Sequence, residues 1–188
     1  MKYTFLMQSP LGTLRVITTD AALSGIDFVN QIDEIPGSAA EQVAILSIPV
    51  DEKETPLLAA DQKSICMMKV SSIIEQFEKE LASYFSGTLQ VFTVPFAVET
   101  GTEFQKKVWQ ALLSIPYGET RTYGDLARSL GLTLGASRAV GNACGANPIP
   151  IIIPCHRVVA AGGSLGGYSG GLWRKARLLA LEGAASIA

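Results

Sequence analysis

The sequence predicts an α/β (α+β) chain of two domains: an antiparallel sheet with one long helix over residues 1–98, and a mostly helical unit over residues 99–188. Three observations predict it. Two β-rich runs flank a turn signal near the N-terminus, one long amphipathic repeat sits near the middle, and several short apolar repeats with capping residues follow Gly101.

Residues 2–8 and 13–18 are rich in Tyr, Phe, Thr, Val and Ile, and Ser-Pro-Leu-Gly lies between them, so a β-hairpin is expected. Residues 23–29 supply a third strand. Residues 30–64, punctuated by Pro36, Gly37, Pro49 and Pro56, read as loop with room for short helix or strand. Over residues 64–86, Val70, Ile73, Ile74, Phe77, Leu81, Tyr84 and Phe85 recur at helical spacing, opposite Glu75, Glu78, Lys79 and Glu80. Gly87 stops that helix. A strand-like run over 91–98 closes the first half.

In the second half Thr102 can cap a helix carrying Phe104, Val108, Ala111, Leu112 and Ile115 on one face, ended by Pro116-Tyr117-Gly118. Residues 122–130 and 136–146 form two further short helices separated at Gly131. That spacing is shared by helix-turn-helix units, although many pairs of short helices have it too. A last helix over 172–182 bears Arg174, Lys175 and Arg177.

Composition excludes several classes. Hydrophobic residues make up 48% of the 188, enough for a core, yet no apolar run reaches the ~20 residues of a membrane helix. No signal-type segment follows Met1, and three cysteines without framework spacing fit a reducing compartment, so a cytoplasmic protein is expected, nucleoid-associated if prokaryotic. One histidine and no CxxC are too few soft ligands for a structural zinc site, so no metal is expected. The net charge of -2 is unevenly spread. Residues 101–188 hold 9 Lys+Arg against 4 Asp+Glu, whereas residues 1–100 hold 6 against 13. A basic half joined to an acidic one fits a local phosphate-binding face, as well as mere asymmetry of solvated surfaces.

The chemistry concentrates in residues 147–159, Asn-Pro-Ile-Pro-Ile-Ile-Ile-Pro-Cys-His-Arg-Val-Val. Pro148, Pro150 and Pro154 fix φ and remove donors, and Ile151 to Ile153 are β-branched, so a short buried strand ending at Pro154 is expected. Cys155 and His156, the only histidine, follow at once. A thiol titrates near ~8.5 and needs a base, for which His156 is the default candidate. In an extended chain, neighbouring side chains point to opposite sides, which argues against direct contact. A Cys-His pair taken alone is more often packing than catalysis.

Pro-Cys-His-Arg-Val, preceded by Asn-Pro-Ile-Pro and followed by Gly-Tyr-Ser-Gly-Gly at 167–171, resembles the active-site signature of the O6-alkylguanine-DNA alkyltransferases. The resemblance is dense over residues 101–183 and loose in the first half, where it implies a ribonuclease-like fold; for the second half it implies a winged helix-turn-helix-like domain. It implies single-turnover transfer of the alkyl group from O6-alkylguanine, and from O4-alkylthymine, in double-stranded DNA to Cys155, after the base is flipped out. In that scheme a water joins Cys155 to His156, Glu182 orients the ring, Tyr123 protonates N3 of the leaving guanine, and Asn147 ties the recognition element to the active-site segment.

Arg138 would fill the vacated stack, with Ala136, Ser137 and Gly141 beside it against DNA. Val158, Tyr168, Ser169 and Cys144 would line the base pocket. The resemblance further implies minor-groove entry, a monomer and no cofactor. Arg157 receives no chemical role. Cys144, Gly145 and Ala146 stand where some relatives carry larger or basic residues, which implies modest DNA affinity.

Three rival readings differ in kind. A lesion-binding module of the same fold would lack the nucleophile, which is present here. A Cys-His hydrolase would need an oxyanion hole, and adjacent Cys and His are atypical of one. A plain helix-turn-helix regulator would have no use for Pro-Cys-His-Arg.

Overall fold

The structure is a computed structural model that describes residues 2–29, 45–47 and 60–184. The chain divides into two compact units, Met1–Ala97 and Val98–Ala188.

In the first unit β1 (Tyr3–Met7), β2 (Leu14–Thr18) and β3 (Leu23–Phe28) form an antiparallel meander, and β4 (Ile45–Ser47) adds to the free side of β1, giving the order β3-β2-β1-β4. The hairpin pairs Met7 with Leu14 and Tyr3 with Thr18. Its turn is closed by Ser9, whose backbone exchanges hydrogen bonds with Gly12 at 3.0 and 3.2 Å. Val16 and Leu14 alternate with exposed Arg15, so one face of the sheet meets the core. The long helix α1 (Ala60–Phe85) starts earlier than the repeat predicts and supplies Val70, Ile73, Ile74, Phe77, Leu81 and Tyr84, all buried. Most of the expectation for 30–64 lies outside the described residues.

The strand expected at 91–98 does not form. Pro95 has no N–H for a ladder, and Val91 is exposed. What remains is a single bridge, in which the Leu23 N–H donates to the Pro95 carbonyl at 2.9 Å and the Ala97 N–H to the Leu23 carbonyl at 2.8 Å. Glu80 holds the run instead. Its carboxylate accepts the N–H groups of Thr93 and Val94 at 2.8 and 3.0 Å, and the Thr93 hydroxyl and Gln76 amide, with these backbone bonds, outweigh burial and hold Glu80 below the usual carboxylate range.

The second unit is mostly helical. Helix α2 (Glu103–Leu112) opens at the predicted cap Thr102, which forms a capping box with Gln105. Gly101 precedes it at φ 99°, where an added Cβ would lie 2.5 Å from the Trp109 ring, so only glycine fits. The Trp109 indole donates to the Ala143 carbonyl at 2.8 Å, joining α2 to α4 (Ser137–Gly145). Between them lie β5 (Arg121–Thr122) and α3 (Tyr123–Ser129), with a second capping box from Thr122 to Asp125. A 3₁₀ turn (Leu134–Ala136) leads into α4. After the 147–157 segment come β6 (Val158–Val159) and α5 (Leu172–Leu181). Among the described residues no helix is long and apolar enough to cross a membrane.

The strand expected over Ile151 to Ile153 is replaced by a buried coil of turns. Three prolines deny the donors a ladder needs, and the chain curls, with the Ile153 N–H donating to the Ile149 carbonyl at 3.0 Å and Ile151 at φ 76°. A β-branched residue held in that region is strained, and full burial of Ile151 is what retains it there.

The Thr102→Ala variant loses the cap and is expected to be about 1 kcal/mol less stable. Urea unfolding checks it, and an unchanged midpoint would show that the box contributes nothing.

Candidate active site

Asn147 organises the site. Its backbone N–H donates to the Cys144 carbonyl at 3.2 Å, at the end of α4. Its side-chain carbonyl accepts the Ile149 N–H at 3.0 Å, and its amide donates both to the Ile153 carbonyl at 2.8 Å and to Cys155 Sγ at 3.1 Å. Pro154, at φ -82° and ψ 61°, is the centre of an inverse γ-turn across which the Cys155 N–H reaches the Ile153 carbonyl at 2.8 Å. Cys155, His156 and Arg157 then form one 3₁₀ turn, not the end of a strand. With about three residues per turn, the thiol and imidazole diverge by about 120° instead of lying on opposite faces.

Cys155 is buried at the base of a pocket holding about 340 Å³ of empty space, part of it open to solvent. Tyr123, Tyr168 and Ser169 wall it on one side with the Gly167 backbone, and Gly141, Cys144 and Gly145 of α4 on the other. The two-residue parallel pairing of Arg121 with Val158 and Thr122 with Val159 sets Tyr123 against the Cys155 segment. The Tyr123 hydroxyl donates to the Gly167 carbonyl at 3.4 Å. Gly166, at φ 68°, passes so close that a Cβ there would meet the Tyr123 ring at 2.9 Å.

Behind the pocket, His156 Nε2 lies 2.9 Å from Glu182 Oε1, and neither side chain has any solvent access. A carboxylate partner makes Nε2 the protonated nitrogen, leaving Nδ1 as an acceptor. Nδ1 is buried and has no hydrogen-bond partner among the described residues. Burial holds the imidazole below its ordinary range, against the pull of Glu182 and with the help of Arg157 and Lys175. Burial likewise pushes the Cys155 thiol up, while the Asn147 amide and the Lys175 charge draw it back. The Cys144 thiol is pushed to about 12 by burial and by its neighbour Cys155. Burial raises Tyr123 and Tyr168 as well, so both phenols keep their protons at neutral pH.

Two residues that sequence reasoning passed over complete the site. Arg157 is buried and pairs with both oxygens of Glu182, through Nε and Nη2, each at 2.9 Å. Lys175 is buried on α5, and its ammonium donates to the carbonyls of Val158, Leu165 and Gly167 at 2.5, 2.5 and 3.1 Å. Burial lowers it to about 8, so it is mostly charged at neutral pH, with an acceptor for each N–H. The available signal is spacing. Lys175, Leu178, Leu179 and Glu182 follow the i, i+3, i+4, i+7 pattern, which puts two charges on a buried stripe.

Other predicted residues lie elsewhere. Val158 does not line the pocket; its side chain is in the core. Arg138 is exposed on α4, and Ala136 and Ser137 are half-buried at its start. Among the described residues no cluster of His, Cys, Asp and Glu is suited to a metal ion.

Residues 1–98 match the ribonuclease-like domain of 6-O-methylguanine DNA methyltransferase, and residues 103–184 match its DNA binding domain. The chain belongs to the 6-O-methylguanine DNA methyltransferase family. The methylated-DNA--protein-cysteine methyltransferase of Mycolicibacterium paratuberculosis is 55% identical over 104 residues, a match that covers 55% of this chain and 62% of that protein. The protein of that name from Methanosarcina barkeri is 39% identical over 180 residues, 96% of each chain. The crystal structure of Mycobacterium tuberculosis O6-methylguanine methyltransferase superposes with a TM-score of 0.71 at 36% identity, covering 97% of this chain and 93% of that one. A structure of the M. tuberculosis protein in complex with DNA gives 0.68 at 37%, covering 95% and 92%.

The lowered pKa of the single histidine has a sign. Between its folded value and the unfolded value of about 6.5, the unfolded chain binds more protons, so stability is complete above about 6.5 and is lost as pH falls below it. The urea midpoint is therefore expected to be lower at pH 5.5 than at pH 7.5, and an equal or higher midpoint would contradict a buried neutral His156.

Proposed function

We propose that this chain repairs O6-alkylguanine in DNA by moving the alkyl group to Cys155, once per molecule. The observation that carries the reading is a buried thiol lining a pocket walled by Tyr123 and Tyr168, backed by a His–carboxylate pair whose free ring nitrogen can take a proton. Family membership and the relatives' names support it.

In the reaction the Cys155 thiol gives its proton to His156 Nδ1, through a bridging water. The sulfur then bonds to the alkyl carbon while the C–O6 bond breaks, and the guanine leaves with the electron pair. Tyr123, which keeps its phenolic proton, supplies one to the departing base at N3. No reductant or oxidant enters the balance, and the thioether formed is stable, so the protein is consumed.

A stacked base cannot reach Cys155, so the nucleotide is extruded. Arg138 shares one face of α4 with Gly141 and Gly145, which line the pocket, and this supports its role as the planar cation that occupies the vacated stack. Helices α3 and α4 act as the helix-turn-helix, entering the minor groove, and the excess of basic residues after position 101 supports contact with phosphates. The protein works as a monomer in the cytoplasm, nucleoid-associated in a prokaryote, and acts on O4-alkylthymine by the same route.

Incubation with a duplex bearing one O6-methylguanine, followed by intact-mass and peptide mapping, is expected to find one methyl group on Cys155 and guanine restored. Tight binding without a mass change would favour a lesion-binding protein instead. Cys155→Ala is expected to abolish transfer while retaining lesion binding; residual transfer by that variant would refute the assignment. For Arg138→Ala, transfer from duplex DNA should fall at least tenfold, with little change on the free modified base. Equal losses on both substrates would remove its role in extrusion.

A further inference from the structure

We infer that Arg157 is a positioning residue that keeps His156 neutral, by holding Glu182 as a fully paired carboxylate so that Nδ1 stays free to take the proton of Cys155. The inference rests on the alkyl-transfer reading, which assigns Arg157 nothing.

Glu182 has no solvent access, yet it faces the Nε2 of His156, Nε and Nη2 of Arg157, and the Gly118 N–H at 3.3 Å. A buried carboxylate is stable only when paired. Were His156 its sole ionic partner, the pairing would favour the imidazolium, since only the charged ring balances the carboxylate. Such a ring carries a proton on both nitrogens, and Nδ1 would be a donor with nothing to accept from the thiol. Arg157 removes that demand. Its guanidinium is permanently charged, and its bidentate fork spans both carboxylate oxygens, so Glu182 is neutralised without a proton from the ring. The ring then needs only to donate one N–H to Oε1.

The remaining charges act in the same direction. Arg157 and the neighbouring Cys155 belong to the ring's own turn, and Lys175 reaches it from α5. Lys175 and Arg157 both disfavour a positive charge on His156, and Glu182 favours it. Arg157 is itself fixed from outside the cluster. Its Nη1 donates to the Ile115 carbonyl at 2.6 Å, and the Tyr117 ring lies 5.8 Å from its guanidinium carbon. The clamp is thus anchored to the turn after α2 and does not follow the motion of Glu182 alone.

One histidine in the chain makes the test direct, because its ring signals need no assignment to a residue and Nδ1 and Nε2 are told apart by their couplings to the ring protons. Long-range ¹⁵N NMR across pH 5 to 9 reads both tautomer and charge. The wild-type protein is expected to show the neutral, Nε2-protonated ring at pH 7; an imidazolium there would overturn the proposal without any variant. In Arg157→Gln the ring should bind its proton at least tenfold more tightly, and in Arg157→Lys, which keeps the charge, the midpoint should return toward wild type. Methyl transfer by Arg157→Gln should fall toward low pH in step with the fraction of His156 that its shifted midpoint protonates, and recover by pH 8.5. An unmoved His156 midpoint, a Lys variant that titrates like Gln, or a rate loss equal at every pH would each overturn it. If Arg157→Gln does not fold, the wild-type and Arg157→Lys titrations decide. The NMR readout needs no substrate, so failure of the clamp is separable from failure of the alkyl-transfer reading.

Discussion

A carboxylate sealed from water must find its partners within the protein, and the second unit is arranged around that requirement at Glu182. The end of α5, the 3₁₀ turn of Cys155–Arg157 and the turn at Gly118 converge on it. Gly118 sits at φ 77° with the Glu182 backbone carbonyl 2.9 Å from where a Cβ would be, so the approach is possible only without a side chain. Each partner is thereby located by the same charge. Losing one ionic member of such a cluster leaves the others buried and uncompensated, which costs about 3–5 kcal/mol for a broken buried pair.

The pocket side is built by different means. Asn147 uses its backbone N–H and both polar atoms of its side-chain amide locally, and through them the last turn of α4, the Ile153 carbonyl and the Cys155 sulfur are held at fixed spacing. The prolines around it leave few competing donors, so one amide can dictate the shape of seven residues. The geometry of the Cys155 segment comes from a coil that has almost no freedom, not from a regular strand. Rigidity of that kind keeps a reactive atom in place without a supporting ladder.

Much of this was legible in the sequence wherever the signal is local. Thr102 announces the start of α2, and the turn between β1 and β2 is written in Ser9 to Gly12. The repeat from Val70 to Tyr84 marks the buried face of α1. Cys155 and His156 stood out as a thiol and its candidate base, Glu182 came through resemblance, and the structure brings His156 and Glu182 into contact across 26 residues. What stayed hidden depends on distant partners. β-branching at Ile151 to Ile153 favours a strand, but the prolines leave it no neighbour. Arg157 and Lys175 look like surface charges until their acceptors, remote in sequence, are seen. The run at 91–98 fails as a strand because Pro95 breaks it and Glu80 offers its donors a better partner.

Lys175 also partitions the loop it holds. Its ammonium fixes the carbonyls of Val158, Leu165 and Gly167, and between the first two the chain makes its own small closure, with the Ala160 N–H on the Ser164 carbonyl at 2.9 Å. Residues 161–163 therefore form a tip outside the pocket lining, where a Cβ added at Gly162 or Gly163 would meet nothing within 4 Å. Length can drift there across evolution, or be altered by graft and insertion, without moving the wall at Tyr168. From Leu165 onward the register is fixed, and a single added residue would carry Gly166 out from under the Tyr123 ring.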